Sequence, residues 1–175
     1  VLISFSSIKI DSRAGHYKIG RMNKVALFLS AFFFSFSALA GECFRSEIDP
    51  KTNKIYSSEK IYLDDIKEWQ VQKPEVPGMF KLARAYSVYK KEKDFATSLG
   101  NDKRAHCYMG CRISQETDYH VAEYVGWLKE DQDIRDCKPT THFDAADWSA
   151  TNKGAQLGQS QPDAKGCDLS CKQNY

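Results

Sequence analysis

His106, Glu130 and Asp147 are the residues whose types could do chemistry together: one imidazole and two carboxylates, each on a different predicted helix. Facing helices that project such groups inward are how helical bundles assemble metal sites. An oxygen-rich donor set with one imidazole suits Zn, Mn or Mg better than copper, and an open coordination position would activate water. These three are the catalytic candidates, and a divalent metal is the cofactor such a set would take. Four further residues stand close in the pattern. Asp102 lies one helical turn before His106, Asp133 follows Glu130, Thr151 lies one turn after Asp147, and His142 sits in the loop before the helix of Asp147. The same residues also have a structural reading. Asp102 and Asp147 suit helix starts, Lys129-Glu130 a solvated helix face, and His106 a buried hydrogen-bonding histidine.

Other chemistry finds little support. No Gly-x-Ser-x-Gly surrounds a serine, and Ser87, Ser114 and Ser149 have no signal around them. Cys107 follows His106 directly, but a cysteine held in a disulfide cannot attack. His120, beside the Asp118 cap, reads as a surface residue. Gly126, Gly154 and Gly158, with Ala150 and Ala155, read as small residues that let helices approach, because no predicted strand precedes them to make a phosphate loop.

The elements that must position these groups are mostly helical. Asp49 to Asn53 is a turn signal, and Lys54-Ile55-Tyr56 and Lys60-Ile61-Tyr62-Leu63 read as short strands of a small hairpin. Lys73 to Gly78, with two prolines, stops regular structure. Phe80, Leu82, Ala83, Ala85, Tyr86 and Tyr89 then recur at helical spacing to about Lys91. Asp102 caps a helix from Lys103 to about Gln115, Asp118 one from Tyr119 to about Asp133, and Asp144 one that runs to about Leu157. Gln159 to Gly166 is a polar linker before a short last helix. The expected fold is mostly α, a small disulfide-stapled helical bundle with an irregular N-terminal piece.

The staple comes from cysteine spacing. Cys107 and Cys111, and again Cys167 and Cys171, place two sulfurs on one face of a helix, where they bridge poorly to each other and well to a facing helix. The expected pairing is antiparallel, Cys107 to Cys171 and Cys111 to Cys167, which leaves Cys43 to Cys137. Each bridge closes a long loop and would add about 2 to 4 kcal/mol. Zinc on these thiols is the competing reading.

The setting is read from the N-terminal region. Met22-Asn23-Lys24, the apolar run Val25 to Leu39 and Ala38-Leu39-Ala40 read as a secretory signal peptide, since the run is shorter than the roughly 20 residues of a bilayer span. Residues 1–21 are then expected to be upstream translation, 22–40 the signal, and 41–175 a single helical domain, periplasmic or secreted, with no transmembrane helix. Leu39-Ala40-Gly41-Glu42-Cys43 is near a lipoprotein signal, but Glu42 interrupts it. Removing Lys9, Arg13, Lys18, Arg21, Lys24 and Asp11 turns a formal charge of +2 slightly negative. Lys90-Lys91-Glu92-Lys93-Asp94 is mixed in sign, so no basic block remains to track a phosphate backbone, and nucleic acid is not an expected partner.

Three segments occur in a fixed order: Asp102-Lys103-x2-His106, then Gly126-x2-Lys129-Glu130-x2-Asp133, then Asp147-x3-Thr151-x2-Gly154. This order resembles a pattern seen in YfiM-like bacterial lipoproteins and in VanZ-like membrane proteins, and a similar order occurs in some polymorphic-toxin tail domains. The resemblance covers Asp102 to Gly158. Thr151 stands where relatives carry an amide or acid, the helices are too polar to span a membrane, and the six cysteines are not part of the pattern. The resemblance implies a helical envelope protein with a shared polar cluster. The expected function is a non-enzymatic binding or structural module that meets an envelope component or partner protein. The alternative is a metal-assisted hydrolase, toxin-like or directed at an envelope or lipid substrate, using the His/Glu/Asp cluster.

Overall fold

A computed structural model describes residues 43–138 and 140–175. The expected signal peptide and the segment before it lie outside the described residues. Six helices and one two-stranded hairpin make up the regular structure among those residues. Strand β1, Ile48–Asp49, pairs antiparallel with β2, Lys54–Ile55, with Ile48 opposite Ile55. Asn53 makes the turn at φ 53, a left-handed conformation that asparagine tolerates.

Helix α1, Glu59–Val71, corrects the second expected strand. Lys60 to Leu63 is its first turn, started by Ser58, whose Oγ accepts from the Ile61 amide. The β-forming Ile61 and Tyr62 are overruled because Tyr62, Ile66 and Trp69 fall at helical spacing and are all buried. Helix α2, Met79–Ser98, begins after Pro77-Gly78 and runs a full two turns past the expected end. Helix α3 spans Asp102–Glu116 and its cap is Asn101, one residue earlier than expected, with Oδ1 accepting from the Arg104 amide at 3.0 Å. Helices α4, Tyr119–Asp133, and α5, Ala145–Gly158, start at the expected aspartates. Asp118 accepts from the Val121 amide and Asp144 from that of Ala146. Helix α6, Ala164–Asn174, is capped by Asp163, inside what reads as a polar linker.

Helix α3 is the spine, with α2, α4, α5 and α6 all packed on it. Its outer sulfurs bond α6 in the expected antiparallel order, Cys107 to Cys171 and Cys111 to Cys167, with Cα separations of 5.7 and 5.8 Å. Cys43 bonds Cys137 and ties the N-terminal piece to the loop after α4. These bonds leave no cysteine free among the described residues, so neither zinc on thiolates, nor a Cys107 nucleophile, nor a lipid on Cys43 fits. Ala85, Val88, Ile113, Val121 and Ala122 fill the space between α2, α3 and α4. Trp69 stacks on Trp127 at 6.0 Å and meets Trp148 edge-on, which docks α1 against α4 and α5. No helix is long and apolar enough to cross a membrane among the described residues.

Candidate functional site

Glycine decides how close α3 and α5 come. A Cβ on Gly154 would lie 1.8 Å from the Cys107 carbonyl oxygen, and one on Gly110 would lie 2.1 Å from that of Thr151. Both contacts are impossible for alanine, so the two backbones touch along a seam that only glycine permits. That contact sets His106 beside Thr151 and Asp147. A Cβ on Gly126 of α4 would meet the Thr151 methyl at 2.7 Å, which brings the third helix onto the same spot.

Asp102, His106 and Asp147 converge there, each offering one ligand atom within 4.8 Å of the others. His106 Nε2 is 3.6 Å from Asp147 Oδ2 and 3.9 Å from Asp102 Oδ1. On the other side of the ring, Nδ1 is 3.3 Å from Thr151 Oγ1. The Thr151 hydroxyl donates its one proton to the Asp147 carbonyl at 3.0 Å, so it accepts from the ring. Nδ1 then carries the hydrogen and Nε2 presents a lone pair toward the two carboxylates. Burial lowers the His106 pKa, with Asp147 and Asp102 opposing, and keeps the ring neutral. Lys103 pairs with both Asp147 Oδ1 and Asp144.

Glu130 is not part of that convergence. It is wholly buried, and Oε2 accepts the Asp144 backbone N–H at 3.0 Å while Oε1 has no hydrogen-bond partner. Burial raises its pKa to about 8, against the Asp144 amide and Lys129. Glu130 therefore anchors the start of α5. Lys129 and Glu130 are both buried rather than a solvated face, and Lys129 pairs with Asp133 one turn on.

His142 does not reach the cluster either. Its Nδ1 is 3.5 Å from Oε2 of Glu47, a wholly buried residue with its other oxygen unpartnered. Glu47 carries no sequence signal, since it lies before the hairpin in a stretch without periodicity. His120 is exposed, as its position beside the cap suggests.

An apolar cavity of about 260 Å³ opens beside His106. Its floor is one face of α3, from Asp102 and Ala105 through His106 and Met109 to Ile113; Tyr89 and Ala96 of α2 form one wall and Val125 of α4 the other. The polar groups gather at the Asp102 end, with Lys93, Asn101 and Lys129. The motif residues Asp102, His106, Gly126, Lys129 and Thr151 all border it, whereas its apolar part, between α2, α3 and α4, carries no sequence motif. Compared with known proteins, the chain matches no family, no curated protein and no solved structure.

Proposed function

We propose that this protein is an exported binding module whose cavity between α2, α3 and α4 takes a linear apolar chain, of the kind a single-chain lipid carries. The observation that supports this reading is the cavity itself, largely apolar and bordered by His106 and Asp102. Ligand sites are typically concave, largely apolar and furnished with a few convergent polar groups. At about 260 Å³ the space suits one chain rather than two. Three disulfides support the export part, because such bonds persist in oxidising compartments. The resemblance to envelope lipoproteins in Asp102 to Gly158 points the same way.

A hydrolytic reading built on His106, Glu130 and Asp147 has less support, because Glu130 holds the Asp144 backbone and does not reach His106 and Asp147.

Titration with the neutral fluorescent probe N-phenylnaphthylamine tests the proposal. The wild type is expected to enhance its emission saturably, and Val125→Trp, which fills the cavity from α4, to abolish the enhancement while retaining wild-type circular dichroism. Equal enhancement by the folded variant, or none by the wild type, would count against the reading.

A further inference from the structure

We infer that Asp102, His106 and Asp147 form a site for one divalent cation of the zinc type at the polar end of the cavity. The inference is independent of what occupies the apolar part.

The ring orientation carries the argument. A histidine that binds a metal through one nitrogen characteristically donates its other N–H to a fixed acceptor, which sets the tautomer. His106 has this arrangement: Nδ1 faces Thr151 Oγ1, and that hydroxyl is itself held by the Asp147 carbonyl. Nε2 is left as a lone pair directed at two carboxylates. Three acceptor atoms facing one another repel unless a positive centre lies between them. Asp147 divides its oxygens in the same sense, Oδ1 to Lys103 and Oδ2 toward His106. The nearby ammonium groups are already paired, Lys103 with Asp144 and Asp147, and Lys129 with Asp133.

The cavity supplies the second observation. His106 and Asp102 line it, so the acceptor atoms border open space that can hold the remaining ligands of a cation. Zinc takes nitrogen and carboxylate oxygen at about 2.0 to 2.2 Å, which puts neighbouring ligand atoms about 3.4 Å apart in a tetrahedral site. The separations of 3.6 and 3.9 Å are slightly wider. Asp102, whose side chain is 57% exposed, has room to rotate and narrow the wider of the two. One imidazole with two carboxylates favours zinc over calcium, which prefers oxygen alone, and over copper(I), which prefers sulfur.

The test uses the full exported chain with disulfides intact, stripped with chelator and titrated calorimetrically with Zn²⁺. One Zn²⁺ per chain is expected. Binding should weaken at least tenfold in Asp102→Asn and be lost in His106→Gln. Nitrogen-15 spectra of the His106 ring add a readout that a merely structural role would not move. Zn²⁺ should shift Nε2 while Nδ1 stays protonated. No stoichiometric Zn²⁺ in the wild type would overturn the inference. So would binding that is undiminished in folded Asp102→Asn, or a ring signal that Zn²⁺ leaves in place. If His106→Gln fails to fold, the exposed Asp102 variant and the ring signal still decide.

Discussion

Burial raises the Glu130 carboxyl to about 8, and it raises Glu47 to about 7 against the opposing effect of His142. In the unfolded chain both return to the ordinary value near 4.5. The folded protein therefore keeps protons that the unfolded chain releases, and stability falls as pH rises from that value toward each folded pKa. His106 acts in the opposite sense: burial lowers its pKa, so the unfolded chain binds the proton more readily below its ordinary value of 6.5, and stability falls on acidification there. The two slopes oppose each other below that pH. Above it only the carboxylates act. Urea midpoints are predicted to fall steadily between about pH 6.5 and 8, and Glu130→Gln to flatten most of that slope. A slope unchanged in the variant would show that Glu130 is not the titrating group. The raised pKa is not legible at Glu130 in the sequence, where Lys129-Glu130 reads equally as a solvated helix face or as part of an inward cluster. Its burial comes from α5 starting across it.

Among elements, the α3 and α5 contact is the most demanding. A methyl group on Gly154 would collide with the Cys107 backbone, which cannot move freely because the neighbouring sulfur is bonded to α6. Gly154→Ala is expected to destabilise by about 3 kcal/mol, the upper part of the usual overpacking range, by separating the helices. Thermal unfolding should show this, and a loss below about 0.5 kcal/mol would mean the helices have slack. Gly100→Ala makes a useful contrast. Its φ of +70 strains any side chain, yet a Cβ there meets nothing within 4 Å, so its cost is backbone strain of about 1 kcal/mol. Helix starts are legible at the capping residues Asp118 and Asp144, but not at Asp163, which lies within a polar run that reads as a linker. Asn101 and Asp102 are adjacent capping residues, and local pattern alone favoured the wrong one. Lys60 to Leu63 carries β-forming residues that read as a strand in a short window, although the Tyr62, Ile66, Trp69 spacing over a longer window is helical. The cysteine staple is legible as well, because a spacing of four on two helices leaves few workable geometries.

For the whole molecule, the three bridges divide by accessibility. The four sulfurs between α3 and α6 belong to residues with no exposure, whereas Cys137 is exposed. Brief treatment with dithiothreitol followed by alkylation is predicted to label Cys43 and Cys137 first and leave the α3 to α6 pairs intact. Mass mapping that finds Cys107 or Cys167 labelled earlier would contradict the packing of α6. Losing the Cys43 to Cys137 bond, which joins positions 94 residues apart, should destabilise by about 2 to 4 kcal/mol. The cavity also belongs to this scale. Its lining is drawn from four helices, so it appears only when α2 and α4 are both docked on α3, and no short segment announces it. Asp102 and His106 stand together by helical spacing alone, whereas the rest of the cluster depends on packing, which brings Asp147 to them and leaves Glu130 and His142 elsewhere.

The most direct measurement of the central claim is the change in backbone amide spectra when the protein is titrated with the neutral probe decanol. The account predicts saturable shifts gathered on the cavity, at Tyr89, Ala96, Ala105, Met109, Ile113 and Val125. Phe80, 90% exposed at the start of α2, should be unaffected. Shifts centred on Met79 and Phe80 with the cavity unmoved, or no saturable shift at all, would contradict it.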